Sequence, residues 1–306
     1  MAEQADSQFM VNAPVVPDGR DEIRCRPIEP VDLPTLAELL TRGFPQRDRR
    51  YWEQGLARLR DRDVPEGYPR FGFVLTAGGR PVGVLLLLFA VAPDAAATIR
   101  CNVSSWYVDP PFRPYAPLLV TTALRLKEVT YTNISPAPHT WPILEAQGYR
   151  RYSRGEAVVV PLLSAPEPDV IVRLVEDGEG GATAGLEPRT AALLRRHAAY
   201  GCLSLVCHSR EGAFPFVFVR RRTVRKLLTA AQLVYCRDVA DVRRFAGNIG
   251  RLLIRRGIAI MMIDAPAPLQ GLIGAHFANK MPRYARGANP PAPGDLADTE
   301  MVIFGL

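Results

Sequence analysis

Apolar residues along this chain follow two periods, and the alternation between them predicts the elements. Residues 23–28 form a short extended run broken by Pro27. Leu33, Leu36, Leu39 and Leu40 then share one face of a helix that Asp32 is placed to cap. Tyr51, Trp52, Leu56 and Leu59 mark a second amphipathic helix over 49–60. Residues 71–76 and 81–90 read as two strands joined by Ala77-Gly78-Gly79-Arg80, a hairpin signal. The longest apolar stretch, 82–92, is too short to cross a bilayer and reads as a buried strand. Further on, the pattern predicts a strand over 99–108, a helix over 118–126 and a strand over 129–134. A helix over 139–147 closed by Gly148 and a strand over 157–163 complete this part.

The order then recurs. After the Pro- and acid-rich segment 165–169 come a strand over 170–175, a helix over 188–199 and a hairpin of 202–208 with 214–220. A strand over 232–236, a helix over 242–256 with Gly257 as its C-cap and a strand over 258–263 follow. A helix over 269–280 and a strand over 300–304 end the series. Tyr107 aligns with Tyr235, and Arg151-Tyr152-Ser153-Arg154-Gly155 aligns with Arg283-Tyr284-Ala285-Arg286-Gly287. Solenoid repeats are only about 20–50 residues long; this longer period indicates a duplicated domain. The expected organisation is a flexible tail over 1–20, a domain over 21–164, a linker over 165–169 and a second domain over 170–306.

Composition narrows the classes. Hydrophobic residues make up 48% of 306 residues, enough for two cores, and 28 prolines fall mostly between the apolar runs. The net charge is +7, carried almost entirely by arginine, since Lys127, Lys226 and Lys280 are the only lysines. The arginines are scattered, and Arg220-Arg221-Arg222 with Arg225 and Lys226 is a short cluster, so nucleic acid is the weakest of the partner classes. Cys25, Cys101, Cys202, Cys207 and Cys236 are odd in number and lack C-x-x-C spacing, which argues against a disulfide framework or a zinc site. No metal is expected. The polar first twenty residues hold no apolar signal core, and the expected compartment is the cytoplasm, with no membrane partner.

One segment carries a family signature. Residues 106–119, W-Y-V-D-P-P-F-R-P-Y-A-P-L-L, resemble the cofactor-binding motif of the GNAT (acetyl-CoA-dependent) acyltransferases. In that family a strand ending V-x-P leads through Q/R-x-x-G-x-G/A into a helix, whose N-terminus and turn amides receive the pyrophosphate of coenzyme A. Val108, Pro110 and Arg113 match. Ala146-Gln147-Gly148-Tyr149 is similar to the family's K-L-G-F, and Arg80-Pro81-Val82-Gly83 to its second hairpin. The resemblance covers 23–163 well and 170–306 more weakly. It implies an α/β fold of the α+β mixed-sheet kind, with two GNAT-like domains in tandem. Acetyl-CoA or another acyl-CoA would be co-substrate, and the acceptor an amine of unidentified small-molecule or protein origin. The chain would be a monomer or homodimer.

The resemblance places Tyr107, Val108, Arg113, Pro114, Tyr115, Ala116 and Leu118 at the cofactor, with Asn133 at the end of the adjacent strand. Ala116 and Leu118 stand where the family has glycine, and Pro114 and Pro117 lack an N–H. Leu144 stands where the family often has a proton-donating tyrosine. In the second half, Gly247 and Gly250 with Arg243 and Arg244 are candidates to receive a phosphate, and Asp238 and Asp241 to cap the helix. The repeat register places His276 at the position of that tyrosine, as a general acid or base. Asp295, Asp298 and Glu300 form an acidic cluster, read either as a solvated turn or as an amine-binding or basic group. Asn133, Ser135 and His139 are further candidates near the thioester. Tyr51 and Trp52 read as core, or as lining for the acceptor. His197 and His208 look isolated. Two functions stay open: acyl transfer to an amine, and a non-catalytic duplicated GNAT-like binding or regulatory protein.

Overall fold

The apolar run 82–92 is apolar at successive positions because both of its faces are covered. Leu85, Leu87 and Phe89 enter one core, while Val84, Leu86 and Leu88 enter another on the opposite face, as the strand's period of two requires. The structure, a computed structural model, describes residues 22–93, 98–126, 128–176, 180–223 and 228–305. The segment 1–20, and Arg225 and Lys226 of the basic cluster, lie outside the described residues.

The first half runs β1 (Ile23–Pro27), α1 (Leu33–Gly43), α2 (Arg49–Asp61), β2 (Gly72–Ala77), β3 (Arg80–Val91), β4 (Ile99–Val108), α3 (Ala116–Ala123), β5 (Val129–Asn133), α4 (Trp141–Ala146) and β6 (Arg150–Val159). α1 and α2 bury Leu36, Leu39, Leu40, Trp52, Leu56 and Leu59 on one face of this sheet. α3 and α4 bury Leu119, Ala123 and Leu144 on the other. The second half runs β7 (Ile171–Leu174), α5 (Pro188–Ala199), β8 (Leu203–Ser209), β9 (Gly212–Thr223), β10 (Leu228–Cys236), α6 (Val239–Ile254), β11 (Ile260–Asp264), β12 (Gly274–Arg286) and α7 (Glu300–Ile303). Its central strand repeats the logic of β3, with Phe214, Phe216 and Phe218 facing one core and Val217 and Val219 the other.

Among the described residues, all the strands join one 12-stranded sheet, ordered β1-β2-β3-β4-β5-β12-β6-β11-β10-β9-β8-β7. The seam is an exchange. β12 lies between β5 and β6, and β6 lies between β12 and β11. The two repeated R-Y-x-R-G segments therefore meet: they sit on β6 and β12, and Tyr284 faces Arg151 across the antiparallel pair. Arg283 is fully buried at this seam. Its Nε and Nη2 donate to Asp264 at 2.8 and 3.1 Å, and its Nη1 donates to the Ile134 carbonyl.

Several expectations are corrected here. Residues 269–280 are not a helix; from Gly274 they are the start of β12. Leu269, Leu272 and Ile273 imitate a helical face, but β6 supplies a ladder beside the chain from Gly274 onward. Residues 300–304 are not a strand but α7, whose Met301, Val302 and Ile303 are all buried. Wedged between the halves, this short turn has no solvent face to impose a period. β6 begins at Arg150, well before the expected 157. The Asp32 carboxylate does not cap α1. It accepts from the Glu29 amide at 2.9 Å and pairs with Arg26 at 2.7 Å, closing the turn that precedes the helix.

Candidate active site

β4 and β5 are parallel neighbours from Ile99↔Val129 to Asn102↔Thr132, where their pairing ends, while the other edge of β5 pairs with β12 from Tyr131↔Arg286 to Asn133↔Tyr284. The strands part there. At the same level β4 carries a bulge: its register against β3 passes from Val103 directly to Trp106, leaving Ser104 and Ser105 out of the ladder. The wedge holds two adjoining cavities. One, of about 230 Å³, is lined by Trp106, Asn133, His139, Ile143 and Leu144. The other, of about 190 Å³, is lined by Arg47, Tyr51, Trp52, Met301 and Phe304. Phe44, Ser104, Ser105, Ser135 and Glu300 border both.

Glu300 is thus the carboxylate between two spaces, delivered to the first half by a segment of the second. Its amide donates to Asn102 Oδ1 at 2.8 Å, which fixes the start of α7. Its carboxylate accepts from Ser104 Oγ at 2.5 Å and from Ser135 Oγ. Burial pushes its pKa above the ordinary carboxylate value, and the two hydroxyls only partly offset this. The rest of the acidic cluster is also buried, which corrects its reading as a solvated turn. Asp295 pairs with Arg100 of β4 at 2.7 Å, and Asp298 is held by Arg196 of α5 through two contacts, 3.0 and 2.7 Å. Burial works against the Asp298 charge, yet the two-contact pair with Arg196 helps to outweigh it, and its pKa stays low. His197 is not isolated: its Nδ1 donates to the Leu193 carbonyl at 2.8 Å, and its Nε2 accepts from the Asp298 amide at 3.2 Å. Burial lowers its pKa, consistent with a neutral ring.

The second half has a matching wedge, and its own chain fills it. β10 and β11 pair in parallel from Ala230↔Ile260 to Gln232↔Met262, and β10 is also irregular, between Leu233 and Tyr235. Along the parted edge the Cys236 amide donates to the Gly294 carbonyl at 2.9 Å, and the Leu296 amide to the Val234 carbonyl at 2.7 Å. Leu296 and Ala297 are buried there.

Solved structures with this architecture include a GCN5-related N-acetyltransferase from Anabaena variabilis, with a TM-score of 0.54 at 13% identity over 87% of this chain and 72% of that one. Another, from Kribbella flavida, gives 0.53 at 15% identity over 87% and 71%. The chain has the GNAT fold. No protein-family model and no curated protein matches the sequence. A shared fold does not assign a reaction, so function is argued from the residues of the wedge.

Of the residues that the GNAT resemblance singled out, Asn133, Ser135 and His139 do line the wedge, as do Tyr51 and Trp52. Leu144 lines it without a hydroxyl. Tyr107 packs its ring on Gly43, and the buried Val108 pairs with Gly83 at the end of β4. Arg113, Pro114 and Tyr115 are exposed, with Ala116 and Leu118 opening α3. The turn between is a 3-10 helix, Pro110–Tyr115, in which the Phe112 and Ala116 amides already donate to the carbonyls of Asp109 and Arg113.

The second-half assignments lose their geometry. Gly247 and Gly250 lie deep in α6, not at its start. A Cβ on Gly247 would stand 2.4 Å from the Ser164 carbonyl oxygen, and one on Gly250 2.5 Å from the Leu162 amide. They are glycines because the chain crosses the helix there. Arg244 is engaged by Glu167 and Glu211, and Asp238 is the N-cap, accepting from the Ala240 amide at 2.8 Å. His276 lies on β12, opposite Ala157, with Nε2 3.0 Å from the Ala265 carbonyl, so the helical register that suggested it does not exist. Gly250→Val is expected to cost about 1–3 kcal/mol in denaturant unfolding and to leave acetyl-CoA binding by the folded protein unchanged; weakened binding without lost stability would restore the phosphate role.

Sequence reasoning passed over Ser104, Ser105, Asn102 and Phe44. The signal for the serines was present, two successive polar residues that break the apolar–polar alternation running from Ile99 to Val103. Among the described residues no group of three His, Cys, Asp or Glu is placed to hold a metal ion. No described helix is long and apolar enough to cross a membrane.

Proposed function

We propose that this protein transfers an acyl group from a coenzyme A thioester to an amine, in the wedge between β4 and β5. The observation that carries this reading is Glu300, a carboxylate of raised pKa on the border of two cavities. The thioester would lie on the β4–β5–α4 side, along the strand edge that the bulge leaves free. The amine would enter beside Tyr51, whose ring already carries the Arg47 guanidinium at 4.5 Å, a neighbouring cation that favours the neutral, attacking form of the amine. The amine nitrogen bonds to the acyl carbon, its proton passes to Glu300, the C–S bond breaks, and the thiolate leaves and is protonated. Holding both groups together supplies much of the rate, and Glu300 keeps the nitrogen lone pair available.

The second reading, a duplicated scaffold without catalysis, is favoured by one feature. The 110–115 turn spends its Phe112 and Ala116 amides internally, and Pro114 and Pro117 have none to offer. That leaves exposed Arg113 as the main cation for a pyrophosphate. Calorimetric titration with acetyl-CoA and longer acyl-CoAs separates the two. Acyl transfer predicts micromolar binding, weakened about tenfold or more by Arg113→Glu and unchanged by Arg244→Gln. Absence of heat with every acyl-CoA, from protein shown to be folded, would leave the scaffold reading.

A further inference from the structure

A larger cavity, about 410 Å³, lies between the segment after α2, the end of β3, and α5, so both halves contribute to it. Its volume is that of a small-molecule site, for which roughly 300–1,000 Å³ is usual. Val64, Val91, Ala92, Leu193 and the Tyr200 ring make its lining largely apolar. Charged groups also reach it, and they do not balance. Arg196 is neutralised by the two-contact pair with Asp298. Arg189 and Asp63 are exposed to solvent, where a charge costs little. Arg62 is different.

Arg62 is only 5% exposed. Its Nε and Nη2 are buried and have no hydrogen-bond partner among the described residues, and no carboxylate stands within ion-pair distance of it among them. Burial draws its pKa below the usual arginine value, and Asp298 offsets that only in part. An uncompensated buried guanidinium is among the costliest groups a fold can carry. Such a group in a cavity wall marks a place where a ligand supplies the missing charge.

We infer that this cavity binds a small organic monocarboxylate, its head on Arg62 and its apolar body against Val64, Leu193 and Tyr200. One negative charge is specified because one buried charge lacks a partner among the described residues. A carboxylate is specified because the guanidinium fork matches its two oxygens, whereas a phosphate would bring a further charge and further oxygens against apolar walls. The inference does not depend on acyl transfer in the β4–β5 wedge.

The test uses the full chain, by calorimetry and thermal unfolding, with phenylacetate and hexanoate as probes. Phenylacetamide and hexanamide serve as neutral isosteres, and inorganic phosphate as the competing anion. The acids are expected to bind and raise the melting temperature. The amides should bind about tenfold more weakly or worse, and phosphate should not register. Arg62→Met should abolish the preference for acid over amide. Without ligand, that variant should be at least as stable as the wild type, because the unpaired charge is gone. Equal binding of acid and amide, no binding of either acid by folded wild type, a preference for phosphate, or an Arg62→Met variant that keeps the preference would each overturn the inference. If Arg62→Met fails to fold, Arg62→Lys, which keeps the charge but not the fork, must weaken the preference; an unchanged preference overturns it equally.

Discussion

Glu300→Gln is expected to lower kcat/KM for acyl transfer by roughly 10²–10⁴-fold, the usual contribution of a positioned general base. The substitution keeps the shape and the partners Ser104 and Ser135, since an amide oxygen still accepts and a hydroxyl can turn. The pH profile makes the test specific. Because burial raises the pKa of Glu300, the wild-type rate should rise with pH as the carboxylate loses its proton, in a limb displaced above the ordinary carboxylate range. The variant should have no such limb. Ser104→Ala or Ser135→Ala removes a donor that stabilises the charged form, so each should move the limb to higher pH.

The sign for stability runs the other way. A raised folded-state pKa favours the protonated form. Its stabilising contribution is complete below the unfolded value and is lost as pH rises through the folded one. At neutral pH Glu300→Gln should therefore be neutral or slightly stabilising. Loss of activity with an unchanged acid limb would remove Glu300 from the chemistry.

Asp264→Ala is expected to lose about 3–5 kcal/mol of stability, because it leaves a buried cation without its counter-charge. Arg283 is fully buried and gives Asp264 two of its nitrogens, at 2.8 and 3.1 Å. Burial works against its charge, and Asp264 outweighs that. The double substitution Asp264→Ala with Arg283→Met should recover much of the loss, as an apolar replacement removes both charges together. Chemical denaturation followed by two probes, one in each half, should give a single transition, since β6 and β12 tie β5 to β11. A loss near zero for Asp264→Ala, or two separate transitions, would contradict this account of the seam.

The elements that were legible in the sequence are those whose own period decided them. β3 and β9 are long apolar strands covered on both faces, and α1, α2, α5 and α6 carry apolar stripes at helical spacing. Gly257, with φ of +71°, closes α6 as its position suggested. The 106–119 motif and the repeat of R-Y-x-R-G pointed to the GNAT fold and to two related halves. Asn133, Ser135 and His139 were legible as candidates only through the GNAT resemblance, which sets the end of β5 near the thioester; they line the wedge.

What the tertiary structure alone decided lies where long-range pairing outweighs local pattern. Residues 274–286 became a strand because β6 lies beside them, not because of their own spacing. Glu300 belongs with Ser104, far away in sequence, only because the 294–304 segment threads between the halves. It fills the second wedge at Val234 and Cys236 before bringing its carboxylate to the first. Local sequence specifies φ, ψ and burial period over a few residues, which suffices for a helix or a hairpin. Which wedge stays open, which glycine faces a crossing chain, and which carboxylate loses its water are fixed by contacts between distant segments, whose strength depends on burial that no local window contains.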